Sequence, residues 1–419
     1  MNERLEQRVS RRTFLRAASG AVVLTGARGT AWGAEPIVIG HQGDLTGLLA
    51  VVGYWHDKSA RAAINRINKE GGIAGRPLTY VIEDTESNPA VGVRKLRKLI
   101  QENNADFVIG SEHGGLAMAS APIVKETKTL YVSASYTDAV TGKAGNRYVI
   151  RLTNTTRHGA RAVAGWAVSN LGKSWGIIFP DYAFGHAHRD NWTAEVERAG
   201  GRVLSKIAIP VGTQDPMAYV VNLASGAEAV YVTMNPPDQP RVQTALKEIG
   251  FKGQRLISPG GVDSFDPLQI PEVTVGTWGT SMMPYEISFR DTPHLRNLRD
   301  AVGIDANSRE RGTGRFAVLG ETWVAWEALH LIKLAAEKSG WKQKKDTPKL
   351  IEYLESVNRL PESREFPQGE LLFRGEDHQG FMDYYLHKIE PKRIRVMQRL
   401  AKEASVYPPT VDYRKEAWG

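Results

Sequence analysis

The chain contains no cysteine in its 419 residues. This absence excludes disulfides, thiolate metal sites and a lipid attached through a cysteine. The chain also lacks any run of 18 or more apolar residues, whereas a membrane-spanning helix needs about 20. We therefore expect a protein that neither crosses a membrane nor is anchored to one.

The motifs of the common enzyme classes are absent as well. No G-x-S-x-G or H-E-x-x-H motif occurs, and His41, His56 and His113 do not have the spacing of metal ligands. The segment from Ala167 to Ser174 comes close to a phosphate-binding loop. However, alanine replaces the first glycine, and the segment precedes a strand instead of following one. We expect no catalytic activity, no cofactor and no metal site.

Positive charge is in modest excess and is unevenly placed. The net charge is +8, and half of it comes from six arginines and two glutamates in residues 1–34. The rest has no dense lysine and arginine block with aromatic residues between, as nucleic-acid binding would require. With 42% apolar and 24% charged residues, the composition is that of a globular protein long enough for two domains.

Residues 1–34 have the organisation of a cleaved export signal. Ser10–Arg16 reads SRRTFLR and resembles the twin-arginine motif. The mildly apolar Ala17–Ala27 and small residues near Ala31–Ala34 follow in the order typical of signal peptides. We predict export by the twin-arginine route, removal of the signal and a mature protein free in the periplasm. The alternative is an arginine-rich amphipathic helix of a cytosolic protein.

The stretch Ile37–Pro89 predicts a β-α-β unit. A β-branched strand comes first, and apolar residues from Ala60 to Ile67 then recur at the spacing of one buried helix face. Leu78–Ile82 alternates as a second strand. Such a unit requires a parallel sheet with a right-handed crossover.

Strands and helices then continue to alternate in two series, up to about residue 258. Two consecutive series indicate two sheets and hence two lobes. Later strands are predicted at Val273–Thr280, Glu370–Phe373 and Met382–Ile389, and a helix around Phe316–Glu337.

Several segments, taken in order, resemble a known family. They are INKEGGIAGRPL, EDTESNPAVGVRKLRKLI, FVIGSEHGG, LYVSASYTDAV, IIFPDYAFG and AVYVTMNPPD. Together they resemble the periplasmic solute-binding proteins of the branched-chain amino acid type, which are receptors of ABC importers. The resemblance implies a type I periplasmic-binding fold, an α/β architecture of two doubly wound parallel-sheet lobes. It also implies a monomer that delivers its solute to a membrane permease and an ATPase.

The resemblance also implies how the chain is divided. The first lobe is expected to comprise residues 35–152 and 276–360, and the second lobe residues 153–275 and 361–400. Residues 401–419 are polar and contain proline, and we expect them to form an extended C-terminal tail. The lobes are joined by a three-segment hinge, with crossings near Leu152–Thr153, Val275–Ser281 and Pro361–Gly369.

Ligands of open parallel sheets bind beyond the carboxyl ends of the strands. This rule selects six loops rich in Gly, Ser, Thr, Pro or Asn, and several of them precede a helix, whose N–H groups favour an anionic group. The loops are His41–Gly53, Ser111–Gly115, Ala134–Thr137, Pro180–Gly185, Asn235–Asp238 and Pro259–Asp263.

The family's carboxylate-binding residues match the first-lobe loops. The serine and threonine that hold the carboxylate of the amino acid fall on Ser135 and Thr137. A small polar residue that assists them falls on Gly114, which leaves only a backbone donor. Glu112 and His113 occupy neighbouring positions that contact the ligand in the family. From turn chemistry alone, Ser135 and Thr137 could instead satisfy backbone groups.

The remaining family positions show substitutions. A ligand-contacting tyrosine of the first lobe falls on Val52, the second-lobe tyrosine on Phe184, and an aromatic residue on Asn235. The acidic residue that pairs with the ligand's ammonium falls on Gly260. Aromatic residues near these loops are candidate walls of the site or ordinary packing residues: Tyr54, Trp55, Tyr136, Tyr182 and Phe184.

The absence of an acidic residue at Gly260 affects which class of ligand we expect. A buried ammonium without a carboxylate partner costs several kcal/mol. We therefore expect a small carboxylate-bearing or amide solute, aromatic ones included. Glu112 or Asp263 could restore the ammonium partner, so a branched-chain or other amino acid is the second hypothesis. A periplasmic sensor that reports its ligand to a receptor kinase is the alternative to an importer.

Overall fold

The structure, a computed structural model, describes residues 35–418. The predicted signal peptide, residues 1–34, and the last residue lie outside the described residues. The strands are β1 (Ile37–Gly43), β2 (Leu78–Asp84), β3 (Phe107–Gly110), β4 (Leu130–Val132), β5 (Val149–Ile150), β6 (Ser174–Pro180), β7 (Arg202–Ile209), β8 (Ala229–Val232), β9 (Gln254–Ile257), β10 (Trp278–Ser281), β11 (Arg359–Leu360), β12 (Leu371–Arg374), β13 (Gln379–Phe381), β14 (Tyr384–Glu390) and β15 (Arg393–Leu400).

Helices alternate with these strands along most of the chain. They are α1 (Ala50–Lys69), α2 (Pro89–Arg97), α3 (Gly114–Glu126), α4 (Thr156–Asn170), α5 (Ala183–Arg198), α6 (Met217–Val220), α7 (Gln239–Glu248), α8 (Pro271–Thr274), α9 (Pro293–Val302), α10 (Val324–Ser339) and α11 (Thr347–Ser356). None of the helices in residues 35–418 combines the length and the apolar character that crossing a membrane requires.

The first sheet is fully parallel and has the strand order β2-β1-β3-β4-β5. Its strands β3 and β4 read FVIG and LYV and are buried along their whole length. Such apolar runs are typical of parallel strands that are covered on both faces. The helix α1 packs against α10, and α2 packs against α3. The predicted β-α-β unit is confirmed as β1, α1 and β2.

The second sheet has the order β15-β14-β10-β9-β8-β6-β7. The five strands from β10 to β7 are parallel, and β14 and β15 form an antiparallel hairpin at the edge. The helices α4 and α5 pack against each other beside it. The predicted fold class, an α/β protein of two parallel-sheet lobes, is confirmed.

One strand belongs to a different sheet than predicted. β10 pairs with β9 in parallel and with β14 in antiparallel register, where Thr280 lies opposite Leu386. The prediction that residues 276–281 return to the first lobe is therefore wrong. The residue pattern indicates that a strand forms, but it carries no information about which strands lie beside it.

A third, antiparallel sheet consists of β11, β12 and β13. The strand β12 was predicted at Glu370–Phe373 as part of the second lobe's sheet, and this prediction is wrong because its hydrogen bonds go to β11 and β13. Gln379 of β13 also bridges to Arg151, which follows β5. The small sheet thus ties the late part of the chain to the segment where the chain leaves the first sheet.

The C-terminal segment packs against the first lobe. Tyr413 is buried, and its hydroxyl donates to the carbonyl of Gly142 at 2.6 Å. The guanidinium of Arg147 lies 3.7 Å from the ring centre of Trp418. Short 3-10 turns at Lys402–Ser405 and Tyr413–Lys415 interrupt the segment, so the prediction of a simply extended tail is wrong.

Buried histidines make the stability of this fold depend on pH. His158 is fully buried between Phe381 and Tyr384, each 5.0 Å away between ring centres. Neither ring nitrogen has a hydrogen-bond partner within residues 35–418. Burial, and secondarily the charge of Arg151, lowers the pKa of His158 to about 3. Below pH ~6.5, His158 therefore binds a proton in the unfolded chain but stays neutral in the folded chain.

We predict that stability is highest above this pH and falls between pH 7 and pH 5, with His158 contributing about 2 kcal/mol of the loss. The variant His158→Phe should show a correspondingly smaller loss, measured by urea unfolding at both pH values. An equal loss in the wild-type protein and the variant would contradict the assignment.

Candidate functional site

A cavity lies between the loops that follow the strands of the two parallel sheets. Its empty space is about 530 Å³, counting the part that is open to solvent. It is lined by residues of both lobes: Leu49, Val52, Glu112, His113, Gly114, Tyr136, Tyr182, Phe184, Met234, Asn235, Pro236, Ser258, Pro259, Gly260, Gly261 and Ser264.

Most of the residues singled out in the sequence meet in this cavity. Nine of the eleven line it: Val52, Glu112, His113, Gly114, Tyr136, Tyr182, Phe184, Asn235 and Gly260. The other two, Ser135 and Thr137, are buried beside Gly114 and do not line it. Two of the candidate aromatic walls lie elsewhere, because Trp55 is fully buried and Tyr54 hydrogen-bonds to Glu310.

The first-lobe wall is built around the start of α3. The ring nitrogen Nδ1 of His113 accepts a hydrogen bond from the N–H of Leu116 at 3.3 Å and so caps the helix. A β-carbon added at Gly114 would overlap the Thr137 hydroxyl, so the position has no room for a larger residue. The Ser135 hydroxyl accepts from the N–H of Thr137 at 3.2 Å, which is the turn-stabilising role considered above.

Arg151 holds this wall in place from behind. Its guanidinium is fully buried and donates to the carbonyls of Ser135 and Thr137, both at 2.7 Å. Its Nε donates to Gln379 at 2.8 Å, and Thr141 accepts a further bond. Arg151 therefore links the predicted carboxylate loop to the small third sheet.

The second-lobe wall is aromatic. Tyr182 and Phe184 stack with ring centres 5.9 Å apart, and the ring of Tyr182 lies 6.1 Å from that of His113 in the first lobe. The hydroxyl of Tyr182 donates to Oδ1 of Asn235 at 2.8 Å. The amide nitrogen of Asn235 has no partner within residues 35–418, so a donor remains at this wall.

Gly260 is a position that only a small residue can occupy. Its φ is +81°, and a β-carbon added there would lie 3.0 Å from Cε2 of Tyr136. The positive φ and this close contact both disfavour an acidic side chain here, the residue type that the resembling family would place at this position. The positive φ and the nearby ring of Tyr136 both favour glycine at this position.

Buried carboxyl groups lie close together near the cavity instead. Glu321 is buried, accepts a hydrogen bond from the Tyr136 hydroxyl, and lies 3.2 Å from Nε2 of His56. Oε2 of Glu112 is buried without a partner within the described chain. Burial raises the pKa of Glu112 well above its ordinary value, and the negative charges of Glu321, Asp44 and Asp263 raise it further.

The other two carboxyl groups of this region differ in how well they are bonded. Asp44 accepts hydrogen bonds from Thr85, from the Ser111 hydroxyl at 2.7 Å and from the N–H of Glu112 at 3.0 Å. Asp263 is also buried, and its Oδ1 accepts from Tyr285 at 2.5 Å. Its Oδ2 has no partner in residues 35–418, and burial raises its pKa.

Glu321 is the residue that the sequence reasoning missed most clearly. The helix predicted around Phe316–Glu337 begins only at Val324. The N–H groups of Leu319 and Gly320 bond instead to Tyr285 and Asp263, so these tertiary contacts hold the preceding segment as a loop. Nothing in the local sequence indicates this role for Glu321. By contrast, the lining residues Met234, Ser258 and Ser264 each lie one residue outside a predicted loop. Loops predicted one residue longer at each end would have included them.

Comparisons with known proteins agree with this architecture. A family model described as periplasmic binding protein matches residues 36–393. The Leu/Ile/Val-binding protein homolog 1 of Brucella suis biovar 1 (strain 1330) is 25% identical over 339 residues, 78% of this chain and 84% of that protein. Homolog 3 of Brucella melitensis biotype 1 is 28% identical over 197 residues, so the chain spans about half (53%) of that relative's length.

Solved structures share the fold. A solute-binding protein of an ABC transporter from Rhodopseudomonas palustris HaA2, in complex with p-hydroxybenzoic acid, has a TM-score of 0.74 and 21% identity; the match covers 88% of this chain and 97% of that one. The branched-chain amino acid transporter substrate-binding protein LivJ from Streptococcus pneumoniae, in complex with isoleucine, has a TM-score of 0.71 and 17% identity over 87% and 99% of the chains.

The tight packing at Gly114 gives a test of the first-lobe wall. We predict that Gly114→Ala destabilises the protein by about 1–3 kcal/mol, because the added methyl group overlaps the Thr137 hydroxyl. The matched control is Gly165→Ala in α4, where an added β-carbon meets nothing within 4 Å. The control should stabilise by about 0.5–1 kcal/mol through helix propensity. Equal effects in urea unfolding would refute the packing argument.

Proposed function

The chain belongs to the family of periplasmic binding proteins, and we propose that it is the receptor of an ABC importer for a small carboxylate-bearing solute with an aromatic or apolar body. Membership in this family implies a periplasmic location. The observation that carries the proposal is the cavity between the lobes, because its walls combine stacked aromatic rings with the start of a helix. The partners of the receptor would be a membrane permease and its ATPase, and the receptor itself would be a monomer without catalytic activity.

The aromatic walls support a flat or apolar solute body. Tyr136 lies on the first-lobe side, and Tyr182 and Phe184 lie on the second-lobe side. A ring between them would bury apolar area against both lobes at once, which favours the arrangement in which the lobes enclose the solute. Similar proteins are described in complex with p-hydroxybenzoic acid and with isoleucine, so both ligand types belong in a test.

The start of α3 supports a carboxylate on the solute. Within residues 35–418, no acceptor pairs with the N–H of Gly114 or of Gly115. Unpaired N–H groups at a helix start, together with the helix dipole, favour a negatively charged group. The amide nitrogen of Asn235 offers a further donor from the opposite wall.

An amino acid is the second candidate, and Glu112 is the observation that favours it. Gly260 has no side chain that could pair with an ammonium group. Glu112 lines the same cavity and has an unpaired oxygen among the described residues. An ammonium group would then bind on the first-lobe side, opposite to the position that the resembling family uses.

A thermal-shift screen of the purified protein separates the two candidates. We expect hydroxylated benzoates and benzoate to raise the melting temperature by several degrees, since a ligand at 100 times its Kd adds about 2.7 kcal/mol. Short aliphatic acids, amides, leucine and isoleucine complete the screen. A response to leucine or isoleucine without one to any acid would overturn the carboxylate proposal.

The variant Glu112→Gln sharpens this comparison because it keeps the size of the side chain. Binding of a solute without an ammonium group should be unchanged or tighter in the variant. Binding of an amino acid should weaken at least tenfold, because the charged partner is lost. Isothermal titration of wild-type protein and variant with the best ligand of the screen measures the difference.

We also propose export through the twin-arginine route, which rests on the SRRTFLR segment. Replacing both arginines of the pair, in the double variant Arg11→Lys and Arg12→Lys, should leave the precursor in the cytoplasm. Cell fractionation with an antibody against the chain measures this outcome. Unchanged export of the double variant would refute the route and leave the rest of the proposal intact.

A further inference from the structure

The acidic side of the cavity contains a set of donor atoms that the solute-binding proposal does not use. One ring nitrogen of His56 and one carboxylate oxygen each from Glu112 and Glu321 all lie within 4.8 Å of one another. We propose that these three side chains form a binding site for a divalent transition-metal ion, Zn²⁺ or Mn²⁺, at the wall of the cleft.

The distances fit a metal ion. Atoms that bind one ion at about 2.0–2.2 Å lie roughly 3–4 Å from each other, so the observed set needs only small side-chain shifts. The three residues come from α1, from the loop after β3 and from the loop before α10. The rest of the fold holds each of these segments in place, so the donor atoms already lie close together without a metal ion.

The donor types indicate which class of ion would bind. An imidazole nitrogen with two carboxylate oxygens suits first-row transition metals, whereas Ca²⁺ and Mg²⁺ prefer oxygen ligands alone. Three protein ligands leave at least one coordination position open. Of the three ligands Glu112 lines the cavity, and Tyr136, which also lines it, contacts Glu321.

A buried carboxyl oxygen without a partner is the second, independent observation. Oε2 of Glu112 is shielded from solvent and has no hydrogen-bond partner in residues 35–418. Within the same range, no lysine or arginine forms an ion pair with Glu112 or Glu321, and His56 is the sole basic partner of Glu321. Buried carboxylates without a cation are costly, and a divalent ion would remove that cost.

Neighbouring residues orient the ligands as outer-shell groups do in metal sites. The Tyr136 hydroxyl donates to Oε1 of Glu321, which leaves Oε2 directed at His56. The N–H of Glu112 is bound by Asp44, which fixes the backbone of that ligand. Such contacts typically change metal affinity by 10- to 100-fold.

The metal site does not rest on the proposed function, because its test needs no solute. A failed solute screen and a failed metal titration are therefore separate results.

The test is a titration of the exported protein, purified without a histidine tag and stripped with a chelator. Isothermal titration with Zn²⁺ or Mn²⁺ alone should show one saturable site per chain, and the chain has no cysteine that could bind zinc elsewhere. Glu112→Gln and His56→Gln should weaken binding at least tenfold. The matched control is His186→Gln, at an exposed histidine–carboxylate pair with Asp181 (2.8 Å), which should bind like the wild-type protein.

A second measurement uses Co²⁺ in place of Zn²⁺ or Mn²⁺, so that the proposal can still be tested if one variant folds poorly. Wild-type protein with Co²⁺ should give visible d–d bands of a low-coordinate site, and circular dichroism identifies which variants are folded. Loss of the bands in folded Glu112→Gln supports the proposal. Absence of saturable binding in the wild-type protein, or equal weakening by His186→Gln, overturns it.

Discussion

The cleft depends on the burial of one guanidinium. Arg151 lies just after the last strand of the first sheet and is inaccessible to solvent. It donates to the carbonyls of Ser135 and Thr137 and to Gln379, all of them uncharged acceptors. The N–H groups of a buried guanidinium need hydrogen-bond acceptors, because these bonds offset the free-energy cost of removing the charge from water. These bonds therefore fix three parts of the fold relative to one another: the loop with Ser135 and Thr137, the segment where the chain leaves the first lobe, and the small third sheet.

The two walls of the cavity then differ in chemistry. The second lobe contributes stacked rings and an amide, whereas the first lobe contributes a helix start and buried carboxyl groups. Gly260 and Tyr136 connect the walls, because the missing side chain of the glycine makes space for the ring. The tyrosine hydroxyl in turn bonds Glu321. The packing at Gly260 is thus linked through Tyr136 to the buried carboxyl groups of the first lobe.

Much of the fold and most of the cavity lining could be predicted from the sequence, for local reasons. The apolar runs FVIG, LYV and AVYV indicate buried parallel strands, and loops after such strands meet at one edge of a sheet. Predictions failed where the outcome depends on distant partners. Examples are β10, whose residues suit either sheet, and the segment before Val324, where bonds to Tyr285 and Asp263 replace helix bonds.

The sequence by itself determined the α/β class, the order of strands and helices, and the loops that form the cavity, because these follow from periodicity and residue type along short stretches. Only the tertiary structure decided which sheet β10 and β12 join, that Ser135 and Thr137 lie behind Gly114, and that Glu321 faces His56 and Glu112. Those outcomes depend on contacts between residues separated by up to 265 positions, and no local pattern encodes such contacts.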